Sequence, residues 1–191
     1  MRARLRIASV NGSYSVPSKT GALVTLITEE FSDRFDVEAD HLDMADVGTE
    51  FAAARAREDL GAELQAMIRK VETADLVIAA TPVFRGSYTG LFKHFFDLVD
   101  QYALANTFVM LVATGGSERH ALVIEHALRP LFGFFQAATV PVGIYASSGD
   151  FGGTEVLNPE VHARIRTAVE DITPALNRDL AMSGAAEEAG R

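Results

Sequence analysis

The sequence contains no cysteine. That excludes disulfide bridges, a thiol nucleophile, iron–sulfur ligation and a cysteine-based zinc site. It also lacks any apolar run near the ~20 residues that a membrane-spanning helix needs. The start, Met1-Arg2-Ala3-Arg4-Leu5-Arg6-Ile7, is basic and then apolar, as a signal peptide's beginning is. Its apolar stretch breaks at Asn11-Gly12, so it reads as the first strand of a cytoplasmic protein. Positive charge is scarce: 17 Lys and Arg face 26 Asp and Glu, for a net charge of −9. With no basic stripe, nucleic acid is not expected as the main partner. The histidines (His41, His94, His120, His126 and His162) show neither an H-x₃-H pair nor a ligand cluster, so no metal site is expected.

What remains is a chain of 191 residues, enough for one domain with one core. Apolar segments alternate with helical periodicity five times. Strands are expected at Arg4–Ser9, Val37–Leu42, Leu76–Ala80, Phe108–Ala113 and Thr139–Ala146. Helices are expected at Ser18–Asp33, Phe51–Glu72, Thr89–Asp100, Glu118–Gln136 and Pro159–Ala181. Repeated β-α order implies an α/β fold, with a parallel sheet covered by helices on both faces. Five strands in one domain of this length favour a flavodoxin-like sheet of order 2-1-3-4-5. Residues 1–182 form the expected domain, and 183–191 a flexible tail.

In such a sheet, ligands sit outside the carboxyl ends of the strands. Three unusual loops fall there. Ser9-Val10-Asn11-Gly12-Ser13-Tyr14-Ser15-Val16-Pro17-Ser18-Lys19-Thr20 opens a helix, whose free N–H groups and dipole favour an anion. Ser13, Ser15, Ser18 and Thr20 add hydroxyls, and Lys19 adds charge. The loop matches neither G-x-x-x-x-G-K-[ST] nor G-x-G-x-x-G. Ser18 is also an ordinary helix cap by residue type. Thr81-Pro82-Val83-Phe84-Arg85-Gly86-Ser87-Tyr88-Thr89-Gly90 is the second loop, where glycines permit close backbone approach. Thr114-Gly115-Gly116-Ser117 is the third. Together they point to a planar ligand bearing a phosphate.

These stretches, with Leu91-Phe92-Lys93 and His120-Ala121-Leu122…Ala127-Leu128-Arg129-Pro130-Leu131-Phe132, resemble the NAD(P)H-dependent FMN reductases of flavodoxin-like fold. The likeness is strongest to the reductase components of two-component alkanesulfonate or methanesulfonate monooxygenases. It implies that Ser13, Ser18, Lys19 and Thr20 hold the FMN phosphate, with Ser15 beside them. It implies that Pro82, Val83 and Phe84, with Ser87 nearby, line the isoalloxazine. Thr114, Gly115, Gly116 and Ser117 would pass under its pyrimidine edge. Arg85 would meet the NADH or NADPH phosphates, or else stand in solvent. Relatives often carry Pro-Arg where this chain has Tyr14-Ser15. His126 falls where related reductases carry an inserted residue that makes a π-turn, a feature linked in the family to tetramer packing.

Hydride transfer to a flavin needs no protein acid, base or nucleophile, and none is expected here. Gly86-Ser87-Tyr88-Thr89-Gly90 places Tyr where a hydrolase elbow needs Ser. The apolar faces around Phe92, Phe95 and Phe96, and around Leu122, Leu131, Phe132, Phe134 and Phe135, are wide for single helices. They suggest core plus a homo-oligomer interface, dimer or tetramer. The reading is an NAD(P)H:FMN oxidoreductase that supplies reduced flavin to a monooxygenase. A quinone or azo-dye reductase of the same fold and a flavin-binding electron carrier are the alternatives.

Overall fold

Strand β1 (Arg4–Asn11) opens the chain, and β2 (Asp36–Asp43), β3 (Leu76–Pro82), β4 (Phe108–Gly115), β5 (Ala138–Thr139) and β6 (Ile144–Ser147) follow it in one sheet. The computed structural model describes residues 3–189, with side chains over 3–183. The sheet is parallel, in the order β2-β1-β3-β4-β5, and β6 also pairs with β4. This is the expected flavodoxin-like order.

Alternate positions of the central strands bury on opposite sides. Ala8, Val10, Val77, Ala79, Val109 and Leu111 join one apolar cluster. Leu5, Ile7, Leu76, Ile78, Met110 and Val112 join the other. Over the first face lie α2 (Thr49–Ala53), α3 (Ala62–Glu72), α4 (Gly90–Asp97) and α5 (Arg129–Phe134). Over the second lie α1 (Lys19–Ser32) and α6 (Pro159–Ala189). A short hairpin, β7 (Phe151–Gly152) with β8 (Glu155–Val156), packs beside α1.

Several elements depart from the expected boundaries. The single helix expected over Phe51–Glu72 is broken by a 3₁₀ turn at Arg57–Asp59. The Asp59 carboxylate accepts the N–H groups of Arg55 at 2.8 Å and Ala56 at 3.0 Å, which turns the chain there. Those bonds hold its pKa below the usual carboxylate range. The break lets Phe51 and Leu60 both reach the core. The helix expected over Thr89–Asp100 is shorter and ends at Asp97. The closing helix runs to Ala189, past the end expected near Ala181. The last residues of the expected tail lie outside the described residues.

The helix expected over Glu118–Gln136 divides into a 3₁₀ turn at Glu118–His120, a π-turn at Ile124–Leu128, and α5. The π-turn contains His126, as the family likeness implies. Arg129 donates its backbone N–H to the Ile124 carbonyl, five residues back. Pro130, which has no N–H, follows directly. The fifth strand also divides, because Pro141 interrupts its ladder between β5 and β6. The two breaks are joined. The Arg129 guanidinium donates to both Glu125 carboxylate oxygens, to Thr139 Oγ1 at 2.9 Å, and to the carbonyls of Val140 and Pro141 at 3.3 Å. A Cβ on Gly143 would come within 2.7 Å of Ile124 Cγ2. The π-turn therefore rests on the strand break.

The apolar faces of the third and fourth expected helices prove to be mainly core. Phe92, Phe95 and Phe96 are at most 1% exposed, while Leu122 and Phe134 stand 62% and 63% exposed. Phe96 packs against the rings of Phe92, Phe95, Phe132 and Phe135, with centroids 4.9–6.3 Å apart. Phe96→Ala is expected to cost about 3–5 kcal/mol of stability, read from denaturant unfolding. A loss below about 1 kcal/mol would show that this cluster is not the keystone of its face.

Candidate functional site

The chain leaves β1 at Asn11 and turns at Gly12, which has no room for a side chain. A Cβ there would lie 2.8 Å from Thr89 Oγ1 and 3.0 Å from Thr81 Oγ1 and Phe92 Cβ. The loop then folds on itself. Ser13 donates its N–H to Asn11 Oδ1 at 3.1 Å, and Ser15 donates its N–H to Ser13 Oγ at 3.3 Å. Past a cis Val16–Pro17 bond, Ser18 caps α1 by accepting the Gly21 N–H at 2.9 Å. The Ser18 hydroxyl proton remains available to donate.

This loop, the start of α1 and the carboxyl ends of β3, β4 and β6 surround a cleft of about 400 Å³. The first turn of α1 carries no acidic residue. Its N–H groups and dipole thus face the cleft without a competing carboxylate. The Lys19 ammonium sits at the rim, 3.4 Å from the Ser148 carbonyl and 5.3 Å from the centre of the Phe151 ring. Thr20 Oγ1 and Thr114 Oγ1 share a buried hydrogen bond of 2.7 Å. That bond ties the helix start to the end of β4.

Of the residues singled out from sequence, Ser13, Ser15, Ser18, Lys19, Thr20, Pro82, Val83, Thr114, Gly115 and Gly116 line this cleft. Phe84, Arg85, Ser87 and Ser117 do not. Arg85 and Gly86 form a tight turn with φ of 51° and 84°. It is closed by hydrogen bonds between Phe84 and Ser87 in both directions. Positive φ at both central positions is the hairpin turn that Gly favours. The turn swings Arg85 and half-exposed Phe84 outward. Phe84 meets the Tyr14 ring edge-on, with centroids 5.4 Å apart. The Ser117 carbonyl accepts the Tyr145 hydroxyl at 2.6 Å.

The two glycines of Thr114-Gly115-Gly116-Ser117 differ in purpose. A Cβ on Gly115 would collide with the Tyr145 hydroxyl, whereas nothing lies within 4 Å of one on Gly116. Gly115 therefore makes room for Tyr145, and Gly116 presents bare backbone to the cleft. Burial, first, and then the charges of Glu118 and Asp150 push the Tyr145 hydroxyl pKa upward, so it stays a neutral donor.

Sequence reasoning missed the fourth wall: Ser148, Gly153 and Thr154. The signal was Ser147-Ser148-Gly149-Asp150, a small polar run directly after the fifth apolar strand. Asp150 organises this wall. Its carboxylate accepts the Ser147 N–H at 2.6 Å, the Ser147 hydroxyl at 2.9 Å and the Asn158 amide at 2.6 Å. The Asn158 bond, then the Ser147 bonds, hold its pKa below the usual carboxylate range.

The sequence matches the family model described as NADPH-dependent FMN reductase over residues 5–152. It is 44% identical over 180 residues to "NADH-dependent FMN reductase SfnF" of Pseudomonas fluorescens (strain Pf0-1), covering 94% of this chain and 96% of that protein. It is 44% identical to "FMN reductase (NADPH)" of Pseudomonas aeruginosa, covering 91% of this chain and 94% of that one. Among solved structures, the apo form of NADH:FMN oxidoreductase (EMOB) superposes with a TM-score of 0.80 at 28% identity, covering 90% of this chain and 89% of that one.

Asp150→Ala removes three acceptor bonds, and hydrogen bonds to a charged group are worth about 1.5–3 kcal/mol each. We expect a loss of at least about 2 kcal/mol at neutral pH by denaturant unfolding. A depressed carboxyl contributes above the ordinary carboxylate range, and that contribution is lost as pH falls through the lowered folded-state value. The difference between wild type and variant should therefore shrink in acid. A difference independent of pH would contradict this role.

Proposed function

Because this chain belongs to the NADPH-dependent FMN reductase family, we propose that the cleft at the start of α1 is where its flavin binds. The chain is an oxidoreductase that uses NADH or NADPH to reduce FMN. The cleft residues fit that flavin. An acid-free helix start with Lys19 at its rim suits a 5′-phosphate. Bare backbone at Gly116 and the apolar sides of Pro82 and Val83 suit a flat ring.

When bound, the flavin supplies the hydride-accepting chemistry. The chain's own residues hold and orient. Ser18 and the first N–H groups of α1 take the phosphate, and Lys19 neutralises it. Val83 and Gly116 bracket the ring, held in register because Val83 donates its N–H to the Thr114 carbonyl at 2.7 Å. Among the described residues lining the cleft, Lys19 is the one ionisable side chain. This supports positioning rather than acid–base catalysis. The observation that carries the reading is the acid-free start of α1 facing a cleft walled by three other strand ends.

A finer reading follows from the motif likeness to two-component reductases. Reduced flavin would pass to a separate flavin-dependent monooxygenase acting on sulfonates, in the cytoplasm. No helix among the described residues is long and apolar enough to cross a membrane. A homo-oligomer, dimer or tetramer, is supported by exposed Leu122 and Phe134 flanking the π-turn. A groove of about 740 Å³ runs between the π-turn and α4, lined by Tyr88, Phe96, Leu131 and Phe134.

Steady-state NAD(P)H oxidation with added FMN tests the activity, and no oxidation with any flavin would overturn it. Lys19→Ala tests the phosphate assignment. FMN binding should weaken by about tenfold or more, the size of one charge-assisted bond, with riboflavin nearly unchanged. Equal losses for both flavins would contradict it. Phe134→Glu should reduce the oligomer in sedimentation, and a wild-type chain that sediments as a monomer would overturn the oligomer reading.

A further inference from the structure

We infer that Asp43, at the end of β2, is a positioning residue for the flavin phosphate. Acting through Asn11, it keeps the Ser18 hydroxyl proton turned toward the cleft. This rests on the reading of the start of α1 as the phosphate site. Neither Asp43 nor Asn11 lines that cleft, so both act through Ser18, which does.

On β1, the face that buries Leu5 and Ile7 continues to Asn11, beneath the first turn of α1. Asn11 is 3% exposed, and burying a polar group is costly unless it is paired. Both ends of its amide are paired. Asn11 Oδ1 accepts the Ser13 N–H at 3.1 Å, while Nδ2 donates to Asp43 Oδ1 at 2.5 Å and to Ser18 Oγ at 3.3 Å. Asp43 stands opposite Asn11 in the β1–β2 register, so the ladder itself brings the carboxylate to the amide. Gly21 leaves room for the bond to Ser18. A Cβ there would lie 3.1 Å from Ser18 Oγ and 3.2 Å from Asn11 Nδ2.

An amide turned end for end keeps almost the same shape, so its partners decide which end goes where. Ser18 does not decide, because a hydroxyl both accepts and donates. A carboxylate offers only acceptors, so Asp43 draws the NH₂ end to itself and thereby to Ser18. The Ser13 N–H favours the same orientation from the other end, but the bond to the charged partner is the stronger one. The Ser18 oxygen then accepts from both Asn11 and the Gly21 N–H, the latter at 2.9 Å. Its two acceptor positions are filled, and its one proton is left for a phosphate oxygen in the cleft. The reversed amide would face Ser18 with its carbonyl and draw that proton away from the ligand.

The charge of Asp43 gives the test its sign. A carboxylate near a phosphate repels it, so removing a bystander Asp43 would tighten FMN binding, whereas removing a positioning residue weakens it. Kd values for FMN and riboflavin, read from flavin fluorescence, are compared for wild type, Asp43→Ala, and the exchange Asn11→Asp with Asp43→Asn. Each is measured with and without Ser18→Ala. The exchange keeps an amide paired with a carboxylate between the strands, so a purely structural role survives it, but it turns an acceptor toward Ser18. Kd for FMN should rise about fivefold in Asp43→Ala and about tenfold in the exchange, with riboflavin within about twofold. Ser18→Ala should weaken FMN binding in the wild type and change it less than about twofold in the exchange. Tighter or unchanged FMN binding in Asp43→Ala would overturn the inference. So would wild-type FMN affinity in the exchange, equal losses for the two flavins, or a Ser18→Ala effect of full size in the exchange. Where only one of the two variants folds, its result decides. If Lys19→Ala costs FMN and riboflavin equally, the phosphate reading fails and this inference with it. A loss specific to FMN in Lys19→Ala, with none in Asp43→Ala, overturns this inference alone.

Discussion

Helix α1 begins at Lys19 because the Ser18 hydroxyl accepts the Gly21 N–H, and everything around the cleft is arranged on that start. Asn11, at the end of β1, reaches the same hydroxyl at 3.3 Å. Thr20 binds Thr114 at the end of β4, and Lys19 leans on the Ser148 carbonyl after β6. Three strand ends are thereby referenced to one helix terminus. A helix start free of acidic residues carries partial positive charge, and here that charge is aimed into a cavity. An anion held there is fixed relative to all the walls at once. Hydride transfer between two bound molecules depends on such fixed placement more than on any reactive side chain.

Most of this was legible in the residues. Continuous apolar runs separated by helical periodicity specify a parallel sheet, and the strand order follows from chain length and connection rules. The three loops were legible because Gly, Ser and Pro clustered directly after apolar runs. Less legible were features set by one side chain bonding back to the backbone. Asp59 breaks a helix whose periodicity continues through it. Asp150 builds a fourth wall from a segment whose composition alone reads as a turn. The outward swing of Arg85 depends on a two-residue positive-φ turn, which a Gly at one position suggests but an Arg at the other conceals.

The π-turn shows the two levels meeting. Its location came from a family likeness at His126, while its physical support is visible only in three dimensions. Arg129 satisfies the carbonyls freed where Pro141 interrupts the fifth strand, and its pairing with Glu125 spans the turn. That bond outweighs the opposing effect of burial, raising the Arg129 pKa and lowering that of Glu125. The irregular helix thus supplies hydrogen-bond donors to the carbonyls of the irregular strand. The surface they create lines one groove together with α4 and with Ser87 and Tyr88 of the loop after β3.

The central claim is that the start of α1 holds the flavin phosphate and thereby places the ring. A crystal structure of the chain with FMN tests this most directly. The account predicts the phosphate within hydrogen-bonding distance of the Ser18 hydroxyl and the first N–H groups of α1, with the ring between Val83 and Gly116. A phosphate bound away from residues 13–20, with the ring elsewhere on the sheet edge, would contradict it.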